Sequence, residues 1–168
     1  MSEPPLISSL QNSRVKTIVK LRNRHHRDKL GKLLIEGYRP LLRALENGYP
    51  IEEIYFCREL FLGENEDNLI SDLARQGAEV FEVSKPVFQK MAYRDRPEGL
   101  LGIGPQRRRH LSDLEFKPNG LYLIAEAIEK PGNLGTILRS SDAAGVDALI
   151  LCDACTDFFN PNVVCASI

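Results

Sequence analysis

The sequence predicts an α/β protein, and three observations carry that expectation. Apolar runs of strand length alternate with amphipathic stretches of helical period along the 168-residue chain. No apolar run approaches the roughly 20 residues that cross a bilayer; Ala148 to Cys152 is typical, a strand's length. The composition, 43% hydrophobic and 27% charged, matches a soluble globular protein and excludes collagen, low-complexity disorder and a disulfide mini-protein. The length suits one average domain or two small ones.

Taken in order, Val15, Ile18, Val19 and Leu21 recur at helical spacing after Asn12-Ser13, a plausible N-cap pair. Lys32 to Glu36 reads as a short buried strand, Arg39 to Asn47 as a helix closed by Gly48, and Ile51 to Cys57 as a strand. Asn65 to Gln76 is a helix ending at Gly77, and Glu79 to Val83 alternates as a strand should. Ser84 caps a helix with Pro86 in its first turn, and Leu100 to Gly104 is the next strand. Together, residues 1–104 predict a small αβα domain, its sheet covered by helices on both faces. Pro105, the Arg107-Arg108-Arg109 triplet, Pro118 and Asn119 break the rhythm, which predicts a linker over 105–118. Residues 119–168 then read as a buried strand from Gly120 to Ala125, a glycine-bearing loop at 129–135, a helix from Leu134 to Ala144, and a second buried strand from Val146 to Cys152. This is one βαβ unit, the start of a Rossmann-like parallel sheet. Two strands cannot bury both of their faces, so this part looks unfinished.

The net charge of −1 hides a segregation. From Asn12 to Arg43 ten basic residues face Asp28 and Glu36, a local net of +8. From Ala44 to Ser84 ten acids face Arg58 and Arg75, and from Lys85 to Pro118 the balance is basic again, eight against four. Two basic blocks suit a phosphate-backbone footprint, and they equally suit solvated helix faces. His25 in the first block can donate to phosphate or stack on bases. The N-terminus, Met1 to Pro5, has neither a basic nor a hydrophobic leader region, so no signal peptide is expected. Four cysteines without framework spacing predict a reduced, cytoplasmic compartment. Cys152, Cys155 and Cys165 lack a fourth zinc ligand, and no histidine lies within 40 residues of them, so no metal is expected.

The loop at 129–135 is the first candidate for chemistry, because a strand–loop–helix turn aims free N–H groups at the carboxyl edge of a sheet. Its spacing is neither Gly-x-Gly-x-x-Gly nor a Walker loop. Within it Asn133 either serves a ligand or caps a helix at Leu134. Arg139, the one arginine of the last fifty residues, either reaches back to clamp a phosphate or is a surface cation.

Glu129 to Val146 resembles the first motif of the SpoU-type RNA 2′-O-ribose methyltransferases, of the knotted, S-adenosylmethionine-dependent SPOUT superfamily. The family pattern is Pro-x-Asn-x-Gly, an arginine four residues after the glycine, and a small-residue helix ending in Gly; Pro131, Asn133, Gly135, Arg139 and Gly145 supply it. Asn160 to Ser167 looks like the next segment, where a basic residue usually stands at Cys165. Ser9 to Arg27, Leu33 to Gly37 and Val83 to Ile103 resemble the substrate-binding domain that many members carry. The resemblance implies ribosomal or transfer RNA as partner, S-adenosylmethionine as cofactor and a homodimer. It makes Asn133 and Arg139 the active-site residues. A guanidinium holds its proton tightly and is a poor base, so Arg139 is expected first to clamp phosphate and stabilise the developing alkoxide, and second to take the proton, with Asn133 orienting it. Arg22, Arg24, His25, Arg27, Arg39, Arg94 and Arg96 are the expected RNA contacts. The family's second and third motifs, with the knot and most of the cofactor pocket, would lie beyond Ile168. The chain is therefore expected to be a fragment that does not bind the cofactor alone. The rival expectation is a non-catalytic RNA-binding protein, and a third is a nucleotide-binding βαβ protein.

Overall fold

The computed structural model describes residues 4–153 and 155–168; Met1, Ser2 and Glu3, read above for a leader, and Ala154 lie outside them. The chain divides into two compact units, Met1–Gln106 and Arg107–Ile168.

In the first unit β1 (Leu6–Ile7), β2 (Lys32–Glu36), β3 (Glu53–Phe56), β4 (Glu79–Val83) and β5 (Leu100–Pro105) form one sheet in the order β1-β4-β3-β5-β2. The strands β1, β4 and β3 run parallel, while β5 is antiparallel to both β3 and β2. Among the described residues five helices surround it: α1 (Ser13–Lys20), α2 (Arg24–Leu30), α3 (Tyr38–Glu46), α4 (Glu66–Arg75) and α5 (Lys85–Met91). Val15, Ile18 and Leu21 from α1 and its end pack with Val87, Phe88 and Met91 of α5 over Leu34, Tyr55, Phe81, Leu101 and Ile103. The two-residue period of the strands turns Leu33, Ile35, Ile54, Phe56 and Leu100 to the other face, all of them buried. There α3 approaches so closely that a Cβ at Gly102 would stand 2.6 Å from Leu41 Cδ2. Helices therefore cover both faces, as the alternation predicts.

Helix α2 is not marked by any apolar period. Asn23 caps it by accepting from the His25 N–H at 2.8 Å, and Gly31 closes it at φ +62°. The expected linker over 105–118 is divided between the units. Pro105 ends β5, and the Gln106 N–H donates to the Gly31 carbonyl at 2.7 Å, so both belong to the first unit. Leu111–Asp113 forms a 3-10 turn held by the His110 N–H donating to Asp113 at 2.9 Å, and Phe116 packs on Tyr122 with ring centroids 4.9 Å apart. These interactions fold the rest of the segment into the second unit.

That unit holds β6 (Tyr122–Glu126) and β7 (Ala148–Cys152), a parallel pair in which Leu123 faces Leu149. Between them runs α6 (Pro131–Ala143), and α7 (Pro161–Ala166) packs against it. The strands are not buried as expected: Ile124 is 65% exposed, since two strands and two helices leave sheet surface uncovered. Helix α6 also starts three residues before the expected Leu134, because Pro131 takes its first position with φ preset for a helix. Helix α7 is not among the expected elements, although Asn160, accepting from the Asn162 N–H at 2.9 Å, and Pro161 are start signals.

Candidate functional site

The charge blocks that are separate in sequence meet in the folded first unit. Arg14 pairs with Glu53 and Glu79, each at 3.0 Å, while lying 4.3 Å over the Phe81 ring. Lys32 pairs with Glu52, and Arg43 with Glu46 at 2.7 Å. Three cations of the basic block are thus answered by the acidic one, and its field is weaker than +8.

The expected RNA contacts separate into three groups. Arg24, His25, Arg39 and Arg96 are exposed, with Arg24 3.6 Å from Asp28 and His25 edge-on to His26. Arg22 and Arg94 come together: both line a polar cleft of about 330 Å³ with Gln89, Tyr93 and Asp95. Arg22 donates to the carbonyls of Lys90, at 2.8 Å, and Ala92, answering the negative end of α5. Arg27 is a correction. It is 2% exposed, and its guanidinium donates to the carbonyls of Leu21 at 3.0 Å and Arg22 at 2.8 Å. Its charge is spent capping the end of α1, so it is a framework residue and not a phosphate contact.

In the second unit the turn after β6 is shaped by Ala127 at φ +53°, whose N–H donates to the Cys152 carbonyl at 3.1 Å. Thr156 Oγ1 donates to the Glu129 carbonyl at 2.6 Å and ties this turn to the segment after β7. An alanine in the left-handed region costs about 1 kcal/mol. Ala127→Gly is therefore expected to stabilise the chain by up to about 1 kcal/mol, read as a higher urea midpoint; a lower midpoint would contradict the strain.

Asn133 does not cap α6. Lys130 holds the cap position without a side-chain bond, and Asn133 lies exposed within the first turn. Arg139 is exposed and donates to the Ile168 carbonyl at 3.4 Å, toward α7. Six residues on a helix place Asn133 and Arg139 about 120° apart around the axis and roughly 9 Å apart along it. Asn133 and Arg139 therefore leave α6 on different sides, with Arg139 bonded to the Ile168 carbonyl. Gly135, one turn before Arg139 on the same face, seats α7: a Cβ there would stand 2.5 Å from the Ala166 Cβ.

The family model described as the MRM3-like substrate binding domain matches residues 12–102, and that of the SpoU rRNA Methylase family matches residues 120–168. The chain belongs, over residues 12–102, to the MRM3-like substrate-binding family, and its residues 120–168 match the SpoU methylase family. It is 30% identical over 92% of its length to the 23S rRNA (guanosine(2553)-2'-O)-methyltransferase RlmP of Bacillus subtilis, of which it spans 57%. It is 32% identical to rRNA methyltransferase 3, mitochondrial, of Homo sapiens over 90% of its own length and 36% of that protein. Its fold superposes with a TM-score of 0.83, at 31% identity, on an AdoMet-bound rRNA methyltransferase from Sinorhizobium meliloti, covering 96% of this chain and 59% of that one. The chain thus spans between about a third and three fifths of the relatives it matches.

For the part that matches the SpoU model, the cofactor question is whether these residues fit S-adenosylmethionine. Around the first turns of α6, Gly132, Asn133, Thr136 and Arg139 are all exposed. An adenosyl group needs apolar walls on most of its surface, and these residues do not supply them. A cleft of about 360 Å³ in this unit lies instead along β7, between Asp147–Leu151 and Arg109–Leu114. Among the described residues no group of three or more His, Cys, Asp or Glu side chains is placed to hold a metal ion. Cys57 is buried, and its thiol is pushed up by desolvation, while Cys152 and Cys155 are exposed and Cys165 is half-buried, all four reduced.

Proposed function

We propose that this chain serves the S-adenosylmethionine-dependent methylation of a ribose 2′-hydroxyl in structured ribosomal RNA, with the first unit holding the RNA. One observation carries the reading: exposed Arg24, His25, Arg39 and Arg96, together with the Arg22–Arg94 cleft, all belong to the unit that matches a substrate-binding domain. Phosphate contacts of this kind hold and orient a polynucleotide without reading its sequence. In the second unit Asn133 and Arg139 are the proposed active-site pair. A guanidinium is a poor base, so the proposed role of Arg139 is to attract phosphate and stabilise the developing alkoxide. The working protein is proposed as a cytoplasmic homodimer, for which exposed Leu121, Leu123 and Ile124 supply apolar surface. No helix among the described residues is long and apolar enough to cross a membrane.

The test pairs two measurements on the chain with a ribosomal RNA stem-loop. Fluorescence anisotropy should show salt-dependent binding, and Arg24→Glu with Arg39→Glu should flatten the dependence of log K on log salt by ~0.9 for each phosphate that is no longer neutralised. Tritium transfer from labelled S-adenosylmethionine, measured with and without the related full-length enzyme as control, reports the chemistry. Binding without transfer is the expected result for this chain, whose residues supply no adenosyl pocket, and absence of RNA binding would defeat both this reading and the non-catalytic RNA-binding one.

A further inference from the structure

Glu36, the last residue of β2, is 2% exposed and carries a carboxyl group into the first unit. Its Oε2 accepts from the N–H groups of Tyr93 at 2.6 Å and Arg94 at 3.3 Å, which fixes the chain just after α5. Its Oε1 is buried with no hydrogen-bond partner among the described residues. A buried carboxylate is costly unless cations offset it. Burial pushes this carboxyl group above the ordinary glutamate value, while the two backbone N–H groups, then Arg94 and Arg22, act against that push.

The two cations are held in place from separate elements. Arg94 bonds Glu98 at 2.7 Å and lies across Gly37, where a Cβ would meet Glu98 at 3.0 Å and the Arg94 guanidinium at 3.3 Å. Gly37 has φ +102°, so both its backbone and this close approach require glycine. Arg22 is anchored on the carbonyls that end α5. Arg22 and Arg94 both line one polar cleft with Gln89 and Tyr93; Asp95 on its lining, and Glu98 at 2.7 Å from the Arg94 guanidinium, are the carboxylates that oppose an anion there. Two anchored guanidiniums beside a polar hollow are a recognition geometry for phosphate.

We infer that this cleft seats a phosphodiester of the RNA and that Glu36 is its positioning residue, holding the Arg94 turn and the Arg22 guanidinium toward the hollow. The inference rests on the RNA reading above and adds a defined site to it. The chemistry shared with free phosphate is the tetrahedral anion, so the test has two arms on the full chain. Inorganic phosphate is titrated while the backbone N–H signals of Tyr93 and Arg94 are followed by NMR, and the RNA stem-loop is then added as competitor. Separately, stem-loop affinity is measured for Glu36→Gln, which keeps an acceptor for the two N–H groups but removes the charge, and for Arg94→Gln and Asp95→Asn.

Phosphate should shift the Tyr93 and Arg94 signals, and the stem-loop should displace it. Arg94→Gln and Glu36→Gln should each weaken RNA binding about tenfold, with a shallower salt slope, and Asp95→Asn should tighten it. Should Glu36→Gln not fold, the Arg94 and Asp95 variants and the titration still decide. Equal or tighter binding by both Glu36→Gln and Arg94→Gln overturns the inference, as does phosphate bound in the cleft that RNA leaves in place. A wild-type chain that binds no RNA would defeat the proposed function instead, whatever phosphate does.

Discussion

Replacing Arg27 with alanine is expected to cost the chain about 2–5 kcal/mol of stability, a larger loss than any other basic residue of the first block should produce. The guanidinium is buried and bonds two carbonyls, those of Leu21 and Arg22, at the end of α1. Truncation leaves both without that donor, at about 1–3 kcal/mol for a buried polar group, and opens a cavity beside Leu21, itself 1% exposed. Arg24 is the control. It is exposed and 3.6 Å from Asp28, so Arg24→Ala should move stability by no more than about 0.5 kcal/mol while weakening RNA binding. Urea midpoints read the first quantity and anisotropy the second. An Arg27→Ala protein with an unchanged midpoint and reduced RNA affinity would return Arg27 to the surface where its sequence neighbours place it.

That contrast shows why part of this protein is legible in its sequence and part is not. Arg24 and Arg27 stand three residues apart in one charged run, His25-His26 between them, and nothing local separates an exposed cation from a buried one. The difference arises from the break between α1 and α2, set by the Asn23 cap, which folds Arg27 back onto carbonyls six and five residues earlier. Strands such as Glu79–Val83 and helices such as α4 are legible because their periods of burial are written in the apolar residues themselves. Helix α2 has no such period, and only its flanking Asn and Gly betray it. The local charge of +8 overstates the field of the basic block for a related reason: Arg14 meets Glu79 across 65 residues, a pairing that the sheet order creates and no window reveals. In the charge pattern Glu36 is one stray acid among cations, although a glutamate ending an apolar strand and preceding Gly37 is the available sign of a buried carboxylate.

The motif in the second unit is legible in identity but not in orientation. Pro131, Asn133, Gly135 and Arg139 mark the helix, yet where α6 begins decides which of them face together. Starting at Pro131 instead of Leu134 places Asn133 inside the first turn. The face that does have a settled partner is that of Gly135 and Arg139, both turned to α7.

Gly135→Ala is accordingly expected to dislodge α7 and lower the stability of the second unit by about 1–3 kcal/mol or more. The added methyl would stand 2.5 Å from the Ala166 Cβ and 2.9 Å from both the Ala166 carbonyl carbon and the Val163 carbonyl oxygen. Two of those three atoms are backbone, so no side-chain rotation relieves the clash, and α7 itself must move. Val163, fully buried in the wild type, would lose its packing, and the Arg139 bond to the Ile168 carbonyl would lengthen or break. By contrast Gly132→Ala, where a Cβ meets nothing within 4 Å, should be near neutral and serves as the matched control on the same helix. Hydrogen exchange at the N–H groups of Val163 and Val164, which donate to the Asn160 carbonyl at 2.8 and 3.1 Å, reads the outcome directly. Faster exchange at both in Gly135→Ala, with Gly132→Ala like wild type, is the expected result. Unchanged protection would mean that α7 is not seated on this glycine, and that the direction of Arg139 toward it is set by something other than helix packing.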